Sequence, residues 1–75
     1  MDHDLIEVRP DVCNGKPVLK GTRITVQSVL ELLAAGDPIE EVLKAYPSLR
    51  REHVLASLEY AARIMGNRYS SMPLG

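Results

Sequence analysis

The sequence predicts a mainly α fold, a three-helix bundle of helix-turn-helix outline preceded by a short β-hairpin. Three observations predict it. Apolar residues recur at helical spacing in three stretches after residue 25. Gly36 and Pro47 divide those stretches into short helices. Ahead of them lie two short runs of β-formers, Leu5-Ile-Glu-Val8 and Lys16-Pro-Val-Leu19, separated by the turn-favouring pair Asn14-Gly15.

Taken in order, Leu5–Val8 reads as a first strand that Arg9-Pro10-Asp11 interrupts. Asn14-Gly15 predicts a type I′ turn, whose two central residues need positive φ. The strand that returns holds Pro17, which has no amide for a ladder, so it belongs at an edge. Thr25 caps a first helix over 26–35, and Val26, Val29, Leu30 and Leu33 form its apolar stripe. Gly36 stops it. Asp37-Pro38-Ile39-Glu40 is a strong start signal: an acidic cap, proline at the first helical position and a glutamate to close a capping box. The second helix then runs over 38–46. Ser48 or Arg50 starts a third, which reaches residue 65 with Val54, Leu55, Leu58, Ala61, Ala62 and Met65 on its core face. Gly66-Asn67 is its stop. One domain over 1–66 and a mobile tail over 67–75 complete the expected organisation.

Composition excludes several classes. The chain has 75 residues, 45% of them hydrophobic, and a net charge of −1, so it is globular without a general basic coat. No apolar run is long enough to cross a bilayer, and Met-Asp-His-Asp is acidic where a signal peptide is basic. The single Cys13 suits a reducing cytoplasm. His3, His53 and Cys13 fall in no nucleophile–base or metal-ligand spacing, so neither an enzyme nor a cofactor is expected. Asp2, His3 and Asp4 are adjacent, which is poor ligand geometry. Gly15-Lys16 and Gly21-Thr22 lack the spacing of a phosphate loop and read as turn residues. A chain this short buries only about 60% of its unfolded surface, so its core is marginal and a homodimer is expected.

Gly15-Lys-Pro-Val-Leu-Lys-Gly-Thr-Arg-Ile-Thr-Val26, with Gly36, Tyr46-Pro47-Ser48-Leu49 and Leu58-Glu-Tyr-Ala61, resembles the domain of unknown function 433 family over roughly residues 5–65. That resemblance implies a homeodomain-like three-helix fold that binds DNA. It also implies the antitoxin half of a prokaryotic type II toxin–antitoxin pair, opposite a PIN-like nuclease toxin. The chain departs from the family in holding Arg50 where a serine or threonine usually caps the third helix.

Charge is segmented in a way that suits DNA. Residues 16–30 carry Lys16, Lys20 and Arg23 against no acid. Lys20 and Arg23 flank Gly21 just ahead of the first helix, where cations and helix-start amides contact phosphate. Alternatively Arg23 pairs with Glu31 or Asp37 and fixes the hairpin to the bundle. Arg50 and Arg51 open the third helix, whose first turn enters the major groove in a helix-turn-helix protein. His53, and with it Ser57, extends that contact. Against this, the expected outer face of the third helix (Glu52, His53, Ala56, Glu59, Tyr60, Arg63) carries two glutamates, so any DNA affinity is modest. Leu5, Ile6, Val8, Tyr60 and Ile64 are the expected dimer or partner interface. Two other readings share these residues: a protein-interaction module without DNA binding, and a small structural homodimer.

Overall fold

The structure, a computed structural model, describes residues 5–69. Strands β1 (Ile6–Val8) and β2 (Pro17–Leu19) precede helices α1 (Val26–Ala34), α2 (Ile39–Ala45) and α3 (Arg51–Tyr69). The fold is mainly helical, three helices after a two-stranded antiparallel hairpin. The strands pair within one chain, Ile6 opposite Leu19, Glu7 opposite Val18 and Val8 opposite Pro17. The proline therefore sits at the end of the ladder, where its missing amide costs least.

The hairpin connection differs from the expected two-residue turn. It spans residues 9–16, because Pro10 ends the ladder early and Val12 turns inward to become buried. Two turns follow one another, with the Val12 amide donating to the Arg9 carbonyl (3.0 Å) and the Gly15 amide to the Val12 carbonyl (3.0 Å). Asn14 does take positive φ (58°), but so does Cys13 (50°), inside a left-handed turn over Cys13–Gly15. The Cys13 thiol donates to the Arg23 carbonyl (3.3 Å) and ties this loop to the segment after β2.

That segment is a compact turn with its polar groups satisfied internally. The Thr22 hydroxyl donates to the Leu19 carbonyl (2.7 Å) and accepts from the Ile24 amide (3.0 Å). The Leu19 amide donates to the Ile24 carbonyl, and Val18 bridges to Thr25, so the chain doubles back along β2 before entering α1. Thr25 then caps α1 as expected, its hydroxyl oxygen accepting from the Ser28 amide at 3.0 Å.

The end of α1 fuses with the start of α2. The Gly36 amide donates to the Leu33 carbonyl and the Asp37 amide to the Leu32 carbonyl, the paired bonds of a Schellman motif. Gly36 sits at φ 100°, which a side chain would oppose. This motif orients Asp37 as the last residue of the α1 cap and makes extended Pro38 (ψ 166°) the N-cap of α2, with no side-chain cap bond. The expected Asp37 capping box is therefore not formed.

α3 begins at Arg51 without a serine or threonine cap. His53 substitutes: its Nδ1 accepts from the Arg50 amide (2.8 Å) while its own amide donates to the Arg50 carbonyl (3.0 Å). The histidine side chain thus supplies one half of a capping box from the third position, while the Arg50 backbone carbonyl takes the place of a side-chain acceptor on the cap residue. The helix also passes through Gly66-Asn67, the expected stop, and continues to Tyr69. Gly66 is open to solvent and a helix of this length tolerates one glycine. The rest of the expected tail, and Asp2, His3 and Asp4, lie outside the described residues.

Leu19, Val26, Val29, Val42, Leu49 and Val54 form the buried core, with Ile6, Ile24, Leu30, Leu33 and Tyr60 among the residues packed on it. The inward face of α3 is the main correction to the sequence reading. Ala56 (3% exposed) and Ser57 (0%) are inside, whereas Leu55 (45%), Leu58 (42%) and Met65 (53%) are outside. Ala56 thus moves from the expected outer face to the core, and Ser57 is unavailable to a DNA groove. The physical reason is size. α3 carries two apolar stripes, and the one with small residues (Val54, Ala56, Ser57, Ala61) lets its backbone approach α1 and α2 closely. The buried Ser57 hydroxyl is satisfied by donating to the His53 carbonyl (3.0 Å).

Candidate functional site

α1, the second half of α3 and the start of β2 line an open groove of about 500 Å³. Val26, Leu30 and Ala34 line one wall from α1, at the i, i+4, i+8 spacing that repeats along one helix face. Tyr60, Ala61, Ile64 and Met65 line the other from α3, and Pro17 closes one end. The lining is almost wholly apolar, and Lys16, Gln27 and Glu31 supply the polar rim. Gln27 Nε2 donates to Glu31 Oε2 (3.0 Å), which holds the rim of α1 in place.

The groove exists because α3 outlasts the body it packs on. α1 has 9 residues and α3 has 19. Tyr60 still packs on the core, but Ile64, one turn further, is 42% exposed. Beyond Tyr60 the inward stripe of α3 has less and less to cover it. Among the described residues no three His, Cys, Asp or Glu side chains cluster as a metal site would require.

Of the expected interface residues, Tyr60 and Ile64 meet in this groove. Leu5, Ile6 and Val8 do not. Ile6 packs against the core, Leu5 is half-buried with its carbonyl accepting from the Lys20 amide (2.8 Å), and Val8 is 56% exposed on the hairpin. The α1 wall, Val26, Leu30 and Ala34, was not anticipated as a site. Its signal is present in the sequence as an apolar arc too wide for one contact.

The expected DNA-contacting residues fall into two local groups. Lys20 and Arg23 bracket the tight turn after β2 and are exposed. The Gly21 amide between them already donates to Glu7 Oε2 (3.1 Å), so this turn has an internal carboxylate where a phosphate would sit. Glu7 is also 3.9 Å from Arg9. Arg23 forms no ion pair with Glu31 or Asp37, whereas Arg9 pairs with Glu7 and Asp11 and Lys44 pairs with Glu41. Arg50 and Arg51 are exposed at the start of α3. His53 is half-buried and committed to the Arg50 amide, so its role is to cap the helix. No helix among the described residues is long and apolar enough to cross a membrane.

Comparison with known proteins agrees on the family. The chain is 38% identical over 58 residues to the uncharacterized protein y4eO of Sinorhizobium fredii, a match covering 77% of this chain and 26% of the relative. The chain therefore spans about a quarter of that protein's length. The crystal structure of a DUF433 member from Anabaena variabilis superposes with a TM-score of 0.77 at 31% identity, covering 81% of this chain and 60% of that one. The family model described as protein of unknown function (DUF433) matches residues 6–61, from β1 into the groove wall of α3, and the chain belongs to that family.

Proposed function

We propose that the chain is a protein-binding module of the antitoxin kind, acting as a homodimer, whose groove seats an apolar segment of its partner. The observation that carries this is the groove itself: about 500 Å³ of apolar space with only Lys16, Gln27 and Glu31 at its rim. Concave apolar surface on a small domain is where partners dock, and aromatic and aliphatic walls dominate such contacts. The partner that the family resemblance suggests is a PIN-like nuclease toxin. Ile64→Lys places an ammonium in the groove without touching the buried core. It is expected to weaken capture of the nuclease at least tenfold while circular dichroism stays unchanged. Undiminished capture by Ile64→Lys would remove the groove from the interface.

A second reading, a homeodomain-like helix-turn-helix protein that binds operator DNA, is favoured by one observation. Arg50 and Arg51 stand exposed on the first turn of α3, directly after α2 and its connecting turn. Two phosphate contacts would give a salt slope of about −1.8 in log–log form, and Arg50→Ala with Arg51→Ala would flatten it. Equal affinity and slope for the double variant would exclude this helix from DNA contact. The protein-binding reading leads because the outward face of α3 holds Leu55, Leu58 and Met65 beside Glu52 and Glu59. Exposed leucines and glutamates suit a protein surface and oppose a polyanion.

A further inference from the structure

The outward stripe of α3 extends well beyond the groove, which uses only its last member, Met65. Leu55, Leu58, Ala62 and Met65 follow one another at spacings of 3, 4 and 3, the a/d pattern of a helix-pairing seam. The first two and Met65 are large and 42–53% exposed. The body packs on the buried side of α3, which holds Val54, Ala56 and Ser57, and leaves the seam in solvent. Expressed along the helix, it is about 15 Å long.

We infer that this seam is covered by the α3 of a second copy, the two helices antiparallel about a two-fold axis near position 60. This names the surface of the homodimer proposed above, and it stands apart from partner binding because it can be tested on the chain alone. Two features select a second copy over an unrelated helix. The first is shape. About that axis Leu58 meets the partner's Ala62 and Leu55 meets the partner's Met65, so each large side chain at the centre faces a small one. The second is charge. Glu59 and Arg63 lie on one flank of the seam, one turn apart, and the two-fold brings Glu59 of each copy alongside the partner's Arg63, so no like-charged row builds up. The exposed parts of the seam side chains amount to roughly 300 Å² of apolar surface per copy. Even with their flanks this falls short of the ~800 Å² that each partner gives to a stable interface. An interface this small makes the pairing weak and reversible.

Sedimentation equilibrium from low micromolar to several hundred micromolar protein is expected to show a monomer–dimer transition. Leu58→Lys, at a position already in water, is expected to raise the dissociation constant at least tenfold with no loss of helical signal. Geometry is read by cross-linking in a Cys13→Ser background. A mixture of Leu58→Cys and Ala62→Cys proteins should form a disulfide that neither forms alone. A wild type that remains monomeric throughout, a Leu58→Lys protein that dimerises normally, or disulfides formed by each single-cysteine protein alone would each overturn the arrangement. The last result would indicate parallel helices.

Discussion

The orientation of α3 can be tested by placing one new side chain at two positions. Hydropathy alone ranks Leu58 as core and Ala56 as surface; the structure has them the other way round, 42% and 3% exposed. Glutamine at each site makes the comparison fair, because glutamine and leucine have similar helix propensity. At position 58 about half of a leucine's burial is lost. A fully buried leucine is worth about 1.5–3 kcal/mol, so Leu58→Gln should cost about 1 kcal/mol, with its amide in water. At position 56 the larger side chain must be forced into packed space, at about 1–3 kcal/mol. Its amide also loses water without a partner, which adds about 1–3 kcal/mol. Ala56→Gln should therefore cost roughly 3–4 kcal/mol, a large fraction of the stability of a domain of this size. Urea denaturation at submicromolar concentration, below the expected self-association, measures both. A larger loss for Leu58→Gln than for Ala56→Gln would show that α3 is rotated as hydropathy alone suggests, and the seam with it.

Three further substitutions probe the local devices that set the elements. Thr25→Ala removes the hydroxyl that accepts from the Ser28 amide at 3.0 Å and should cost about 1 kcal/mol, seen as a melting shift of about 4–8 °C. Gly36→Ala meets no atom within 4 Å, so its cost of about 1–2 kcal/mol comes from backbone conformation alone at φ 100°; a neutral result would mean that the Schellman turn relaxes freely. His53→Ala frees the Arg50 amide and should cost about 0.5–1 kcal/mol by thermal melting, with glutamine, which can reach back in the same way, restoring part of it.

Much of the element order is legible in the sequence because it rests on local chemistry. Thr25 caps α1 and Gly36 ends it, and both effects act within a few residues. The hairpin was readable from β-formers on either side of Asn14-Gly15, but its connection was not. Pro10 and the inward turn of Val12 lengthen the loop, and Val12 turns inward only because a core exists to receive it. Asp37 failed as a cap for a related reason: the preceding Schellman turn fixes the backbone before the side chain can choose. The α3 face was misread because periodicity identifies stripes but not which stripe packs. When two are present, hydrophobicity favours the leucines, whereas close helix approach favours alanine and serine. The groove followed from the same error. Tyr60 and Ile64, expected interface residues, lie at the point where the true inward stripe outruns the body.

The same rotation bears on the choice between protein and DNA as ligand. A recognition helix offers its outward face to the major groove. Here that face is the leucine seam, flanked by Glu52 and Glu59. A dimer built on the seam would bury it, leaving only the helix starts for DNA. Nine residues separate Arg51 from the two-fold near position 60, so the two Arg51 residues would stand about 27 Å apart along the helix pair. Half-sites on DNA recur at about 34–36 Å. Arginine side chains can span that difference to reach phosphate, but the interior of each α3 would then be turned away from the bases. Such a dimer would bind DNA through charge alone, with a steep salt dependence and little sequence preference. Sequence-specific operator binding by the dimer would therefore contradict the seam, whereas salt-sensitive, unspecific binding would be consistent with both the seam and the exposed arginines.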